Sequence, residues 1–228
     1  MVLALAGAGG VHALPVSGQG TWETTLQARD LNGDTVTDAF YDTALDITWL
    51  ANANANGLMT WSQASAWASN LVVGTYSDWR LPSTTPGGDG TVVCSFNNTN
   101  CGYNANPASS EMATLFHITL GNRSGVDATG TPRGGASGID WGLVNTGPFT
   151  GLQSAYCWSG TEYTPNPVFA WGFRTSDGDQ FSELKDGQFF AMAVRPGDVT
   201  GMVPKPQIYA LLLTGLAALS MVRRRRVL

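Results

Sequence analysis

Two long segments without hydrophobic periodicity most constrain the fold of this 228-residue chain. Residues 83–108 and 121–151 are rich in Gly, Asn, Ser and Pro, which favour turns over helices and strands. Irregular segments of this length are uncommon in a compact domain, where they are usually functional or held by cross-links. The elements between them must be short. We therefore predict an α+β fold with two short helices, a small antiparallel sheet and long loops.

The periodic segments between these loops predict individual elements. Residues 40–49 alternate between apolar and polar side chains and indicate a half-buried strand or hairpin, with Asp42 and Thr48 on its polar face. A capping-box pattern at Thr60 begins a helix that ends near Gly74. The other predictions are a second helix capped by Ser109 or Ser110, strands at 155–159, 169–175, 181–184 and 189–195, and a hairpin turn at 177–179.

Charge excludes several classes of protein. Only 13% of the residues are charged, which argues against a coiled coil or a Lys/Glu-rich helical bundle, and the 10% aromatic content argues against a disordered chain. Five of the 12 basic residues lie at the C-terminal end, so residues 14–201 hold 7 basic and 17 acidic residues, a net charge of −10. Because phosphate backbones repel such a body, no nucleic-acid partner is expected.

The N-terminal end is predicted to be a targeting segment. Residues 2–11 form a short apolar run, and Val11-His12-Ala13 offers small residues where signal peptidase would cut, after Ala13. A basic first region is missing, so residues 1–13 fit a truncated signal peptide, the alternative being a merely apolar terminus. Residues 14–39 then form a polar N-terminal segment that precedes a domain at 40–198.

The C-terminal end, residues 199–228, predicts a membrane anchor. Residues 208–222 are apolar, although shorter than the usual span of about 20 residues, and four arginines follow them. A buried C-terminal helix is the alternative. With Val203-Pro204-Lys205-Pro206 ahead of it, the tail resembles the PEP-CTERM sorting signal of Gram-negative bacteria, although Lys205 stands where that family usually has Glu. The resemblance implies an exosortase as partner, export, at least transient anchoring through a transmembrane helix at 208–222, and a place at the cell surface or in the extracellular matrix.

The cysteines and one acidic segment indicate further sites. Cys94 and Cys101 lie in the same polar loop and could close a small disulfide, whereas Cys157 is expected to be buried and inert. Between residues 30 and 38, four oxygen-bearing side chains suit a hard cation. An EF-hand is excluded, because its sixth position would be Thr35 and its twelfth Tyr41. A looser calcium site and a plain acidic turn stay open, and no other cofactor is expected. The four residues are Asp30, Asn32, Asp34 and Asp38.

An ordered series of motifs resembles one bacterial family. It runs from Thr60-Trp61 through Ser77-Asp78-Trp79-Arg80-Leu81-Pro82 and Ser110-Glu111-Met112 to Tyr156-Cys157-Trp158-Ser159-Gly160-Thr161-Glu162-Tyr163, and ends at Ala193-Val194-Arg195. Over residues 40–197 the chain is similar to the Lcl C-terminal domain family, which is named from collagen-like adhesins. The resemblance implies a C-type-lectin-like fold shared with sulfatase-modifying factors. The motif residues are Trp61, Trp79, Arg80, Glu111, Trp158, Glu162, Trp171 and Arg195.

These motif residues are expected to have structural roles. Trp79 and Trp158 would each bury a large area with one partner for the indole N–H. The two arginines would pair inside the protein with nearby carboxylates and tie loops to strands. The pairings considered join Arg80 and Arg195 to Asp78, Glu111 or Glu162.

Polysaccharide binding is the favoured function. Collagen-like adhesins of the family bind sulfated polysaccharide, but the calcium-binding motifs of sugar-binding C-type lectins are absent here. Exposed aromatics in loops are the remaining candidates for contacts with exopolysaccharide. Without a nucleophile–base pair or paired carboxylates, no enzyme is expected. The alternatives are an enzyme of the sulfatase-modifying type and a matrix protein without a specific ligand. The candidate aromatics are Tyr103, Trp141, Phe149 and Tyr163.

Overall fold

The computed structural model describes residues 13–84 and 91–199, which form an α+β fold with few short helices and two small antiparallel sheets. The α-helices are α1 (Trp22–Thr25), α2 (Trp61–Asn70) and α3 (Glu111–Ala113). The strands are β1 (Leu26–Arg29), β2 (Ala39–Asp42), β3 (Ile47–Leu50), β4 (Gly102–Tyr103), β5 (Tyr156–Glu162), β6 (Phe169–Arg174), β7 (Asp179–Leu184) and β8 (Val194–Pro196). The predicted α+β class is confirmed, with two sheets in place of one.

The first sheet joins the two ends of the described chain. Its strand order is β1-β2-β3-β8, and all its pairs are antiparallel. Residues 189–195 were expected to form one strand, but only the last part pairs with β3, where Val194 lies opposite Trp49. Phe189 and Phe190 instead form isolated bridges to Met59 and Cys157.

The predicted hairpin at residues 40–49 is confirmed as β2 and β3, but its polar face was assigned wrongly. Asp42 and Thr48 are fully buried. The carboxylate of Asp42 accepts hydrogen bonds from the backbone N–H of Ala44 and, at 3.4 Å, from the indole of Trp49. The hydroxyl of Thr48 donates to the carbonyl of Gly197 at 2.7 Å. These bonds satisfy both polar side chains inside the protein, and burial raises the pKa of Asp42.

The polar segment at residues 14–39 belongs to the same folded unit as the domain after it. Its strand β1, which the sequence did not predict, pairs with β2 along all four residues. Leu31 is fully buried, and its backbone N–H donates to the carboxylate of Asp38 at 2.8 Å. The first sheet therefore extends across residue 40, where the sequence placed the start of the domain.

The second sheet has the strand order β4-β7-β6-β5. Residues 175–178 connect β6 to β7, so the predicted hairpin turn is confirmed, although Asp179 already belongs to β7. Arg174 stabilises this turn by donating to Asp177 and Asp179 at 2.8 and 3.0 Å. Strand β5 pairs regularly with β6 as far as Trp158, and the register then shifts before Glu162. Such a bulge bends the strand and redirects the side chains within it.

Helix α2 confirms the capping box at its start. Thr60 and Gln63 exchange the two expected side-chain to backbone hydrogen bonds, and Ala64 and Ala68 on the buried face are inaccessible to solvent. The helix ends at Asn70, four residues before the predicted end, because Leu71 is extended. Gly74 has φ +60° and lies against Leu31, where a Cβ would come within 2.0 Å of a carbonyl oxygen.

The second predicted helix begins as expected and then widens. The hydroxyl of Ser110 accepts from the N–H of Ala113 and caps α3. The chain continues as a π-helix over Thr114–Thr119. His117 lies in this segment, where its Nδ1 donates to the carbonyl of Asn122 at 3.3 Å and its Nε2 is buried without a partner. Burial lowers the pKa of His117 to about 4.

Acid should therefore destabilise the fold through His117. Its pKa is about 6.5 when unfolded and about 4 when folded, so the unfolded state binds the proton first, and stability falls from pH 6.5 to pH 4. The loss reaches at most about 3 kcal/mol. Urea unfolding of the wild type and His117→Gln across this range measures it. Asp42 titrates in both proteins and cancels in the comparison, and identical pH profiles would contradict the assignment.

The largest hydrophobic cluster joins the two sheets. It contains Trp49 and Val194 from the first sheet and Cys157 and Phe173 from the second, together with Phe116 of the π-helix. A second cluster packs α2 onto the second sheet, and a third packs the loop after α2 onto the first. Each sheet therefore buries one face against the other and the opposite face against the region around α2.

Both predicted targeting segments lie almost wholly outside the described residues. Residues 1–12 and 200–228 include the apolar N-terminal run, the motif at Val203-Pro204-Lys205-Pro206 and the predicted transmembrane helix. Among residues 13–84 and 91–199, no helix has the length and apolar character needed to cross a membrane.

Candidate functional site

The motif residues mostly hold loops onto the two sheets. Arg80 forms a bidentate pair with Glu111, with N···O distances of 2.8 and 2.7 Å. The same carboxylate accepts from the backbone N–H of Ser83 at 2.6 Å. This single side chain therefore ties the start of α3 to the segment that follows α2.

A second bidentate pair joins Arg195 of β8 to Asp78, at 2.7 and 2.9 Å. Glu162 pairs with Lys185, whose ammonium lies 4.4 Å from the ring centre of Trp61. Pairing of both arginines with carboxylates is confirmed, but an interior position is wrong for the Arg195–Asp78 pair, because the side chain of Asp78 is 56% exposed. These pairs lie at the rim of the core.

The motif tryptophans are core residues with one exception. Trp158 is fully buried, and its indole donates to the carbonyl of Met59 at 2.9 Å. Trp79 is buried and donates to Tyr76. Trp171 is fully buried, but its N–H has no hydrogen-bond partner. Trp61 is half-buried, with one face covered by Lys185.

A loop closed by a disulfide presents the most exposed aromatic side chain among the described residues. Cys94 and Cys101 are bonded, as predicted. Between them stands Phe96, whose residue is 46% exposed and which the sequence reasoning missed. Its ring stacks on Tyr103 with centroids 6.4 Å apart and planes inclined by 16°. The other edge of the Phe96 ring lies against Gly130, where a Cβ would come within 2.9 Å.

We call Phe96, Tyr103 and Gly130 the aromatic platform. Backbone and amide hydrogen bonds fix the loop that carries it. Asn104, at φ +50°, donates from its side chain to the carbonyls of Phe96 and Val126 at 2.9 and 3.0 Å. Asparagine tolerates this left-handed conformation better than most residues. The platform is thus held in place without its own rings entering the core.

The structure brings one more predicted aromatic near this platform and separates two others. Trp141 packs on Gly125, whose backbone N–H donates to the carbonyl of Asp177 in the turn between β6 and β7. Asp179, two residues further on, lies opposite Tyr103 in the second sheet. Tyr163 lies at the opposite end of the second sheet, 5.3 Å from Trp171 between ring centres. Phe149 is buried against Phe40 and Trp49, so the expectation that it contributes to an exposed surface is wrong.

Charges beside the platform are largely paired. Tyr103 lies opposite Asp179 in the sheet, and burial together with the carboxylates of Asp177 and Asp179 raises its pKa. Arg174 neutralises both carboxylates and covers the ring of Phe181 at 4.9 Å. Five of the seven basic residues in the described chain form ion pairs with carboxylates, the other two being Arg123 and Arg133.

The four residues of the calcium prediction form a turn that binds its own backbone. Both carboxylate oxygens of Asp30 accept backbone N–H groups, from Gly33 at 2.7 Å and from Thr35 at 2.8 Å. Asn32 and Asp34 accept the amides two residues further on, and Asp38 binds Leu31. Within residues 13–84 and 91–199, no three His, Cys, Asp or Glu side chains are grouped to hold a metal ion. The looser calcium site stays a prediction.

The cysteine chemistry available to the described chain is limited. Cys94 and Cys101 are consumed by their disulfide. Cys157 is buried as predicted, and burial raises its pKa to about 12, so it stays a thiol at neutral pH. A thiol in this state is a poor nucleophile and a poor metal ligand.

Two surface openings differ in chemistry. A groove of ≈ 670 Å³ is lined mainly by apolar side chains, among them Phe40, Leu50 and Leu71. A smaller cleft of ≈ 230 Å³ lies between α2 and the bulge of β5, and four hydroxyl-bearing side chains line it together with apolar groups and Arg80. No family model and no curated protein matches the chain.

Proposed function

We propose that this protein is an exported module of the cell surface or extracellular matrix that binds exopolysaccharide through the aromatic platform. The observation that carries the proposal is the exposed Phe96 ring, stacked on Tyr103 in a rigid loop. Among the large apolar residues that are exposed in the described part of the chain, Phe96 is the one aromatic. The ring face of a sugar is apolar, so a flat aromatic surface among amide groups suits it.

Preorganisation supports this role. Fixing a loop in its binding conformation lowers the entropy lost on binding. Here the disulfide and the side chain of Asn104 hold Phe96 before any ligand arrives. The disulfide also favours an oxidising compartment, in agreement with export by signal peptidase, sorting by an exosortase and transient anchoring through residues 208–222.

The buried motif residues support a likeness to the Lcl C-terminal domain family and its C-type-lectin-like fold. Trp158, Trp79 and the Arg80–Glu111 pair hold long loops on small sheets, as that fold requires. We propose on the same grounds that the protein is a binding module rather than an enzyme, since its thiols are buried or bonded.

Replacing Phe96 with alanine should weaken binding to the polysaccharide purified from the producing cells. Loss of one stacked ring is expected to cost about 1–1.5 kcal/mol, or roughly tenfold in affinity. Affinity electrophoresis or isothermal titration of the wild type, Phe96→Ala and Tyr103→Ala measures this. The matched control is Leu184→Ala, since Leu184 is also 46% exposed but lies at the opposite end of the second sheet. Equal affinity of Phe96→Ala and the control would refute the platform, and no binding by the wild type would leave a matrix protein without a specific ligand.

A further inference from the structure

The cleft between α2 and β5 has the features of a second binding site. Four hydroxyl-bearing side chains line it, together with Trp79, Arg80, Leu81 and Gly160; the four are Ser65, Ser69, Ser83 and Thr161. The register shift in β5 leaves residues 159–161 without partners in β6. Bulges of this kind often lie beside functional sites, where they redirect side chains.

The cleft is close to electrically neutral although an arginine lines it. Both terminal nitrogens of Arg80 bind the carboxylate of Glu111, and one also donates to the carbonyl of Leu81. Its charge is therefore already compensated, and an anionic ligand would also meet the carboxylate of Glu111. The chemistry of the cleft favours an uncharged ligand over a carboxylated, sulfated or phosphorylated one.

Several hydrogen-bonding groups in the cleft are uncommitted. The hydroxyls of Ser65 and Ser83 bond to no group of the described chain, and Nε of Arg80 donates to none. Thr161 accepts the backbone N–H of Thr84 and keeps its own hydroxyl hydrogen. Four residues that line the cleft thus each keep an uncommitted polar group, and the cleft volume of ≈ 230 Å³ is just below the usual range of small-molecule pockets.

We infer that this cleft binds a single uncharged sugar ring, through hydroxyl-to-hydroxyl hydrogen bonds and without a metal ion. The ring is the free monosaccharide or the last unit of a neutral chain, because the volume is too small to enclose a longer oligosaccharide. The site is separate from the aromatic platform, which lies in the disulfide loop, so each can fail without the other.

Filling the cleft tests the inference. Ser65→Leu places a bulky side chain in it, whereas Ala66→Leu makes the neighbouring substitution at an exposed position of the same helix. Amide NMR titrations with glucose, galactose, mannose and N-acetylglucosamine should show millimolar binding of at least one sugar by the wild type and by Ala66→Leu. Ser65→Leu should bind at least tenfold more weakly, and Ser83→Ala about three- to tenfold more weakly.

Further measurements distinguish a free monosaccharide from the terminal unit of a chain, and the cleft from the aromatic platform. A trisaccharide of the same sugar should bind like the free ring if only its terminal unit enters. Glucuronate, the charged counterpart of glucose, should bind no more tightly than glucose, and a chelator should change nothing. Phe96→Ala should leave monosaccharide binding intact. Binding of no uncharged sugar, tighter binding of glucuronate, or equal binding by Ser65→Leu and Ala66→Leu would overturn the inference, whatever the polymer does at the platform.

Discussion

Replacing Trp158 with alanine is expected to lower the free energy of unfolding by about 3–5 kcal/mol. Trp158 is fully buried, contacts the rings of Tyr156 and Phe189, and donates its indole N–H to Met59. Removing it leaves a cavity between α2 and the second sheet and a carbonyl without its donor. Urea denaturation followed by circular dichroism measures the loss, which is a large part of the stability of an ordinary domain.

Two variants show whether the cavity or the hydrogen bond dominates. Trp158→Phe keeps most of the apolar surface and loses the N–H, so it should cost clearly less than alanine. Trp67→Ala removes a tryptophan from the same cluster that is only half-buried, and it should also cost less. A loss below about 1 kcal/mol for Trp158→Ala would show that this ring does not anchor the cluster.

Replacing Glu111 with glutamine is expected to cost about 1.5–3 kcal/mol. The substitution keeps the shape of the side chain but removes the charge that binds both terminal nitrogens of Arg80, and it replaces one acceptor oxygen with a donor. The N–H of Ser83 then competes with Arg80 for the remaining oxygen. The side chain of Arg80 is 38% exposed, and water therefore recovers part of the loss.

Asp186→Asn is the matched control for Glu111→Gln, because it converts an exposed carboxylate to an amide. It should change the free energy of unfolding by less than about 0.5 kcal/mol. If Glu111→Gln is no more destabilising than this control in thermal and urea unfolding, the Arg80–Glu111 pair does not hold α3 to the segment that follows α2.

Local sequence patterns predicted an element correctly where its formation depends only on residues that are close together in the chain. The capping box at Thr60 and the turn at 177–179 depend only on neighbouring residues, and both were confirmed. The faces of the β2–β3 hairpin could not be assigned in this way. Asp42 is polar, yet backbone amides and an indole satisfy it inside the protein. Alternation of polarity predicts exposure only for side chains that lack such partners.

The candidate sites depended on contacts between distant segments. Phe96 was overlooked because an isolated aromatic in a polar loop gives no periodic signal, whereas its stacking on Tyr103 and Gly130 exists only after folding. A lone large apolar residue between two cysteines of a small loop is nevertheless a usable signal. Phe149 illustrates the reverse case, because a loop position did not prevent burial against Phe40 and Trp49.

The first sheet has a consequence for the order of folding. Its interior strand β3 can form all of its backbone hydrogen bonds only after β8, from the far end of the described chain, has been added to the sheet. Arg195 of β8 can then donate to Asp78. Contacts of such high sequence separation make folding slow and delay it until nearly the whole domain is available. A nascent chain that still lacks β8 cannot complete its core. This late completion agrees with the export proposed above, because translocation channels accept chains that are still unfolded.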